Sequence, residues 1–134
     1  MKHPIRRLVA VATFALLAAV LFAACGGGGG GGGGGSAYVA PKGASTETIT
    51  VHAGNFYFKP NTITAKPGIA TIDLVVDNNI HDFVFDGAYS GFQLEADGGS
   101  SQSKKIDLKP GKYTFYCSIT GHRAAGMVGT LTVK

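Results

Sequence analysis

Cys117, His122 and Met127 stand at four-residue gaps within YCSITGHRAAGM, residues 116–127. A thiol, an imidazole and a thioether are all soft or borderline metal ligands. The segment before them, KYTFYC, and the one after, VGTLTV, both read as strands. One hairpin-like loop therefore presents all three groups at one end of a β-structure. Gly121 and Gly126 allow the tight backbone path that such crowding needs. A fourth ligand must come from elsewhere, and His81 is placed for it, at the start of HDFVF and just after the turn-like DNN. His52 lies mid-strand in TVHA, and His3 belongs to the N-terminal apolar segment. Two imidazoles and a thiolate with a weak axial thioether suit copper, because the sulfurs favour Cu(I) and the imidazoles also accept Cu(II). Zinc is more often held by four strong ligands, and methionine is a poor fourth.

Each residue has a plainer reading on its own. Cys117 would be a small buried hydrophobe, Met127 a core residue and His122 a surface histidine. Their order and spacing, with His81 upstream, are what these readings leave unexplained. A metal-free β-sandwich interaction module leaves the same spacing unexplained.

The positioning elements are β throughout. The pattern predicts strands at 47–53, 56–60, 61–66, 69–77, 81–85, 103–108, 112–117 and 128–133. Two Lys-Pro-Gly corners, 66–68 and 109–111, lead into the next strand. Residues 86–101 read as loop, with room for one short helical turn. Short alternating strands with frequent turns predict an antiparallel Greek-key β-sandwich. This domain, 47–134, can hold one modest core.

Residues 1–25 form a different region. Lys2, Arg6 and Arg7 precede an uncharged run from Leu8 to Ala24, apolar but for Thr13 and ending at Cys25. That is the layout of an export signal. LFAAC resembles a bacterial lipobox, in which the cysteine carries lipid; Phe22 stands where such boxes usually carry Leu. The run is also just long enough for an uncleaved membrane helix. Either reading tethers the protein to a membrane on the exported, extracytoplasmic side. Residues 26–46, opening with ten glycines, read as a flexible linker spanning ~25 Å.

Three of the twelve basic residues lie in that signal, leaving nine against eight acidic ones. The remainder is nearly neutral, so the basic pI is no argument for nucleic-acid binding. With Cys25 lipidated, Cys117 is an unpaired thiol in an oxidising compartment, which calls for a function.

PGKYTFYC...GH...AGMVGTLTV resembles the C-terminal signature of plastocyanin and its cupredoxin relatives. NNIHDFVFDG resembles the segment carrying their first histidine ligand. The four-residue gap between Cys117 and His122 is two longer than in plastocyanins and closer to auracyanin, a membrane-tethered cupredoxin. The resemblance implies a cupredoxin fold with one type 1 (blue) copper. His81, Cys117 and His122 would be strong ligands and Met127 the axial one. It also implies a monomeric, non-enzymatic one-electron carrier between redox proteins at the membrane. A copper chaperone or buffer is the alternative, though it would expose more Met and His than this chain has. Two residues depart from the pattern. Asp82 stands where cupredoxins often have Asn, whose side chain bonds the Ser/Thr after the cysteine. Ile80 replaces a proline.

Overall fold

The computed structural model describes residues 37–134. Nine strands make two facing sheets, and the described residues contain no helix. The strands are β1 (Glu47–Gly54), β2 (Tyr57–Lys59), β3 (Thr62–Ala65), β4 (Gly68–Val76), β5 (Ile80–Phe85), β6 (Gln93–Asp97), β7 (Ser100–Leu108), β8 (Gly111–Tyr116) and β9 (Val128–Val133). One sheet has the order β2-β1-β4-β7 and the other β3-β9-β8-β5-β6.

Alternation decides which face is buried. On β1, Ile49, Val51 and Ala53 point inward; on β4, Ala70, Ile72, Leu74 and Val76 do so. Period-two placement gives each strand one apolar face, and two such faces close the core between them. The facing sheet contributes an aromatic centre. Phe83 and Phe115 stack with centroids 4.5 Å apart, and Phe58 meets both edge-on at 5.9 and 5.3 Å. Offset and edge-on pairs are the favoured ring geometries.

The sandwich is the one expected, with three differences of detail. Two neighbouring pairs, β1 with β4 and β3 with β9, run parallel, where simple alternation suggested antiparallel neighbours throughout. They arise because the chain changes sheets between β2 and β3 at Pro60–Asn61, so strands close in sequence pair with distant ones. Residues 86–101 are not all loop, and no helical turn forms there. They contain β6 and the start of β7, joined by a turn at Gly98–Gly99. An edge strand needs few apolar residues, and in β6 only Leu94 is fully buried, so the pattern was too short to read. The last part of the expected linker also packs on the domain. Tyr38 sets its ring edge-on against Phe92 at 5.1 Å and donates its hydroxyl to the Lys105 carbonyl at 3.0 Å. Lys105 Nζ reaches the Gly43 carbonyl. The signal, Cys25 and the glycine run lie outside the described residues.

Register sets the site. Tyr116, the last residue of β8, pairs with both Val84 of β5 and Val128 of β9. Antiparallel pairing thus brings the start of β5, the end of β8 and the start of β9 to one end of one sheet.

Candidate metal centre

Strand β8 delivers Cys117 inward at that end, alternating with outward Tyr116. The eleven-residue stretch from Cys117 to Met127 then closes on itself. The Cys117 amide donates to the Met127 carbonyl at 3.1 Å, and the Met127 amide donates to the His122 carbonyl at 3.1 Å. Ala125 donates to Gly121 and His122, which winds the loop into successive tight turns. Gly121 and Gly126 take φ of +86° and +103°, the left-handed region that glycine enters without penalty.

Ligand atoms of His81, Cys117 and His122 all lie within 4.8 Å of one another, close enough for one ion. Cys117 and Met127 are fully buried, and His81 is 1% exposed. Cys117 Sγ sits 3.4 Å from His122 Nδ1. The His81 and His122 ring centroids are 5.0 Å apart. Neither ring nitrogen of His81 has a hydrogen-bond partner, although both are buried. A buried, unpartnered polar group is costly, and a metal ion satisfies it. Burial, then the neighbouring His122, push the His81 pKa below its ordinary value, with the nearby Asn78 backbone opposing in part. The imidazole therefore presents a neutral lone pair, as a metal requires. Burial likewise pushes the Cys117 thiol up to about 11, against backbone N–H groups of Asp82 and Ile119 that stabilise the thiolate. The four residues form the pattern of a type 1 copper site, and the donor set fits copper.

Although Asp82 departs from the family pattern, an Asp82–Ser118 clasp is present. Ser118 donates its backbone N–H to Asp82 Oδ1 at 2.5 Å and its hydroxyl to Asp82 Oδ2. The Asp82 N–H points at Cys117 Sγ, 3.5 Å away. His52 plays no part here; it lies exposed on β1, paired with Asp77 at 3.1 Å.

Three contacts were not foreseen. Phe56, in the turn between β1 and β2 with φ of +59°, meets the His122 ring edge-on at 5.2 Å. Asn79 Nδ2 donates to Asn55 Oδ1 and ties that turn to the one before His81. Arg123 stacks 4.1 Å over the Tyr116 ring and pairs with Asp86 at 2.6 Å. The Gly54-Asn55 dipeptide signals the turn, but nothing in sequence says that Phe56 faces a residue 66 positions away.

The fold and site define a β-sandwich built to bury one metal ion. Comparison with known proteins agrees. The family model of copper binding proteins, plastocyanin/azurin family, matches residues 45–134. Plastocyanin of Nostoc punctiforme is 38% identical over 111 residues, covering 68% of this chain and 77% of the relative. Plastocyanin of Dryopteris crassirhizoma is 37% identical over 95 residues, covering 60% of this chain and 91% of the relative. The chain belongs to the plastocyanin/azurin family of copper-binding proteins. Among solved structures, auracyanin B superposes with a TM-score of 0.62 at 24% identity, covering 75% of this chain and 96% of that one. Auracyanin of Roseiflexus castenholzii gives 0.55 at 21% identity, over 69% of this chain and 99% of that one. At such identities these two show the shared cupredoxin fold.

Proposed function

We propose that this protein is a one-electron carrier in which His81, Cys117 and His122 would hold copper, with Met127 as a weak fourth donor. Copper there supplies a one-electron couple at a site whose sulfur and nitrogen donors tolerate both oxidation states. The chain's own part is to hold the ligands still and dry. Three of the four are buried, the loop is cross-bonded at both ends, and the Asp82 N–H is fixed on the thiolate. The observation that carries the reading is buried, unpartnered His81 beside Cys117 and His122. Deep burial also argues against a chaperone, which must hand its ion to another protein's ligands.

His122 is the one half-exposed ligand of the three strong ones. Apolar side chains lie around it. Ala124 and Ala125 are exposed, and Phe56 and Ile80 keep 49% and 43% of their surface open at the same end. Arg123 is folded onto Tyr116 and paired with Asp86. Such a face suits brief contact with redox proteins, since few charges need desolvation. A lipid on Cys25, or an uncleaved helix from the apolar run before it, would tether the protein to the cell membrane on its outer side, within reach of such partners.

Redox cycling tests the carrier reading. The copper-loaded domain should be reduced and reoxidised repeatedly with its metal retained; loss of copper on reduction would favour the chaperone. Mass spectrometry of the native N-terminus should show acylated Cys25. An N-terminus processed elsewhere without lipid, or an unprocessed Met1, would contradict the lipid anchor.

A further inference from the structure

Asp82 poses a problem that the ligand set does not answer. The residue is 1% exposed, its backbone N–H is next to Cys117 Sγ, and no Lys or Arg among the described residues forms an ion pair with it. A buried carboxyl group without a counter-charge needs hydrogen-bond donors for its oxygens. Ser118 supplies two. The third is Gln93, whose Nε2 donates to Asp82 Oδ2 at 3.0 Å.

Gln93 reaches Asp82 because of register. Asp82 pairs with Glu95 and Val84 with Gln93, so Gln93 and Asp82 are diagonal neighbours across the β5–β6 pair. Its own carbonyl accepts from Lys104 Nζ at 2.6 Å, which fastens the edge strand at that position. Gln93 also lines a groove on the outer face with Val84, Tyr116 and Ser118. It therefore stands between solvent and the carboxyl group.

We propose that Gln93 is a positioning residue for the thiolate ligand. Its amide holds Asp82 so that one residue clasps Ser118 through its side chain and aims its backbone N–H at Cys117 Sγ. Without that donor, Oδ2 keeps only the Ser118 hydroxyl, and the carboxyl group turns toward the groove for water. The clasp joins the strand carrying His81 to the loop carrying His122, so its loosening reaches both.

This deepens the copper reading of the same site, but its main test needs no copper. Amide hydrogen exchange at positions 118 and 82 is measured by NMR in the apo-protein for the wild type, Gln93→Leu, Gln93→Glu and the double variant Asp82→Asn with Gln93→Glu. Leucine keeps the cover and removes the donor, so both amides should exchange about tenfold faster, as loss of a donor to a buried acceptor implies. Glutamate sets a second carboxyl group against Asp82 and should do at least as much. The double variant should restore protection, because the side-chain amide introduced at position 82 can donate to the carboxylate introduced at position 93. In copper-loaded Gln93→Leu the charge-transfer band and the reduction potential should both shift. Unchanged exchange in Gln93→Leu, or no recovery in the double variant over Gln93→Glu, overturns the proposal. A wild type that fails to give a copper band would instead count against the copper reading, and the exchange result would stand apart from it.

Discussion

At the residue scale, the site is a set of groups kept from their ordinary partners. In the apo-protein His81 is neutral, because burial and His122 depress its pKa. Cys117 carries its proton, because burial raises the thiol to about 11. A metal must displace that thiol proton to gain a thiolate. Copper binding near pH 7 should thus release about one proton per ion, with none from His81. Calorimetry in buffers of different ionisation enthalpy measures this; zero release would contradict the buried thiol. In the proposed site Met127 would make the weakest bond, so its removal should retune the site and not empty it. Met127→Leu should keep copper and raise the reduction potential, since a residual donor to Cu(II) is lost. Metal analysis and a redox titration check this, and an empty variant would make Met127 a primary ligand.

At the scale of elements, the site depends on β5, β8 and β9 meeting at one end in fixed register. Gly129 shows how tight that meeting is. A Cβ there would come within 2.1 Å of the Phe115 ring and 2.7 Å of the Asn61 carbonyl oxygen. Phe115 cannot yield easily, because it stacks on Phe83. Gly129→Ala should cost about 1–3 kcal/mol by overpacking. Thermal unfolding should show a melting point lower by about 4–8 °C for each of those kcal/mol; an unchanged value would mean that the core is looser than its geometry. Much of this was legible in sequence. Cys117, His122 and Met127 share one loop, so their convergence follows from a turn between two strands, and His81 follows from a histidine at a strand start. The parallel pairings were hidden because they join segments far apart in the chain. β6 was hidden because one buried leucine leaves no period to detect. The brace from Gln93 was hidden with it, since a cross-strand diagonal exists only once register is known.

At the scale of the molecule, the balance of burial and exposure at one end of the sandwich decides what the site can do. His81, Cys117 and Met127 are sealed inside that end, and His122 is half-open, edge-on to Phe56 and near Ala124 and Ala125 in its loop. If partners meet this face, Ala125→Glu should leave the copper spectrum intact and slow electron transfer to a membrane redox partner sharply, through the cost of desolvating a charge in the contact. Equal rates with an intact spectrum would move docking to the side where Arg123 covers Tyr116. The central claim is that His81, Cys117, His122 and Met127 hold one copper through a thiolate bond. The visible spectrum of the copper-loaded domain tests it most directly. An intense thiolate-to-copper band, at one copper per domain, should appear in the wild type and vanish in Cys117→Ser, because a hydroxyl cannot supply the charge-transfer sulfur. A colourless wild type, or a band that survives in Cys117→Ser, would contradict it.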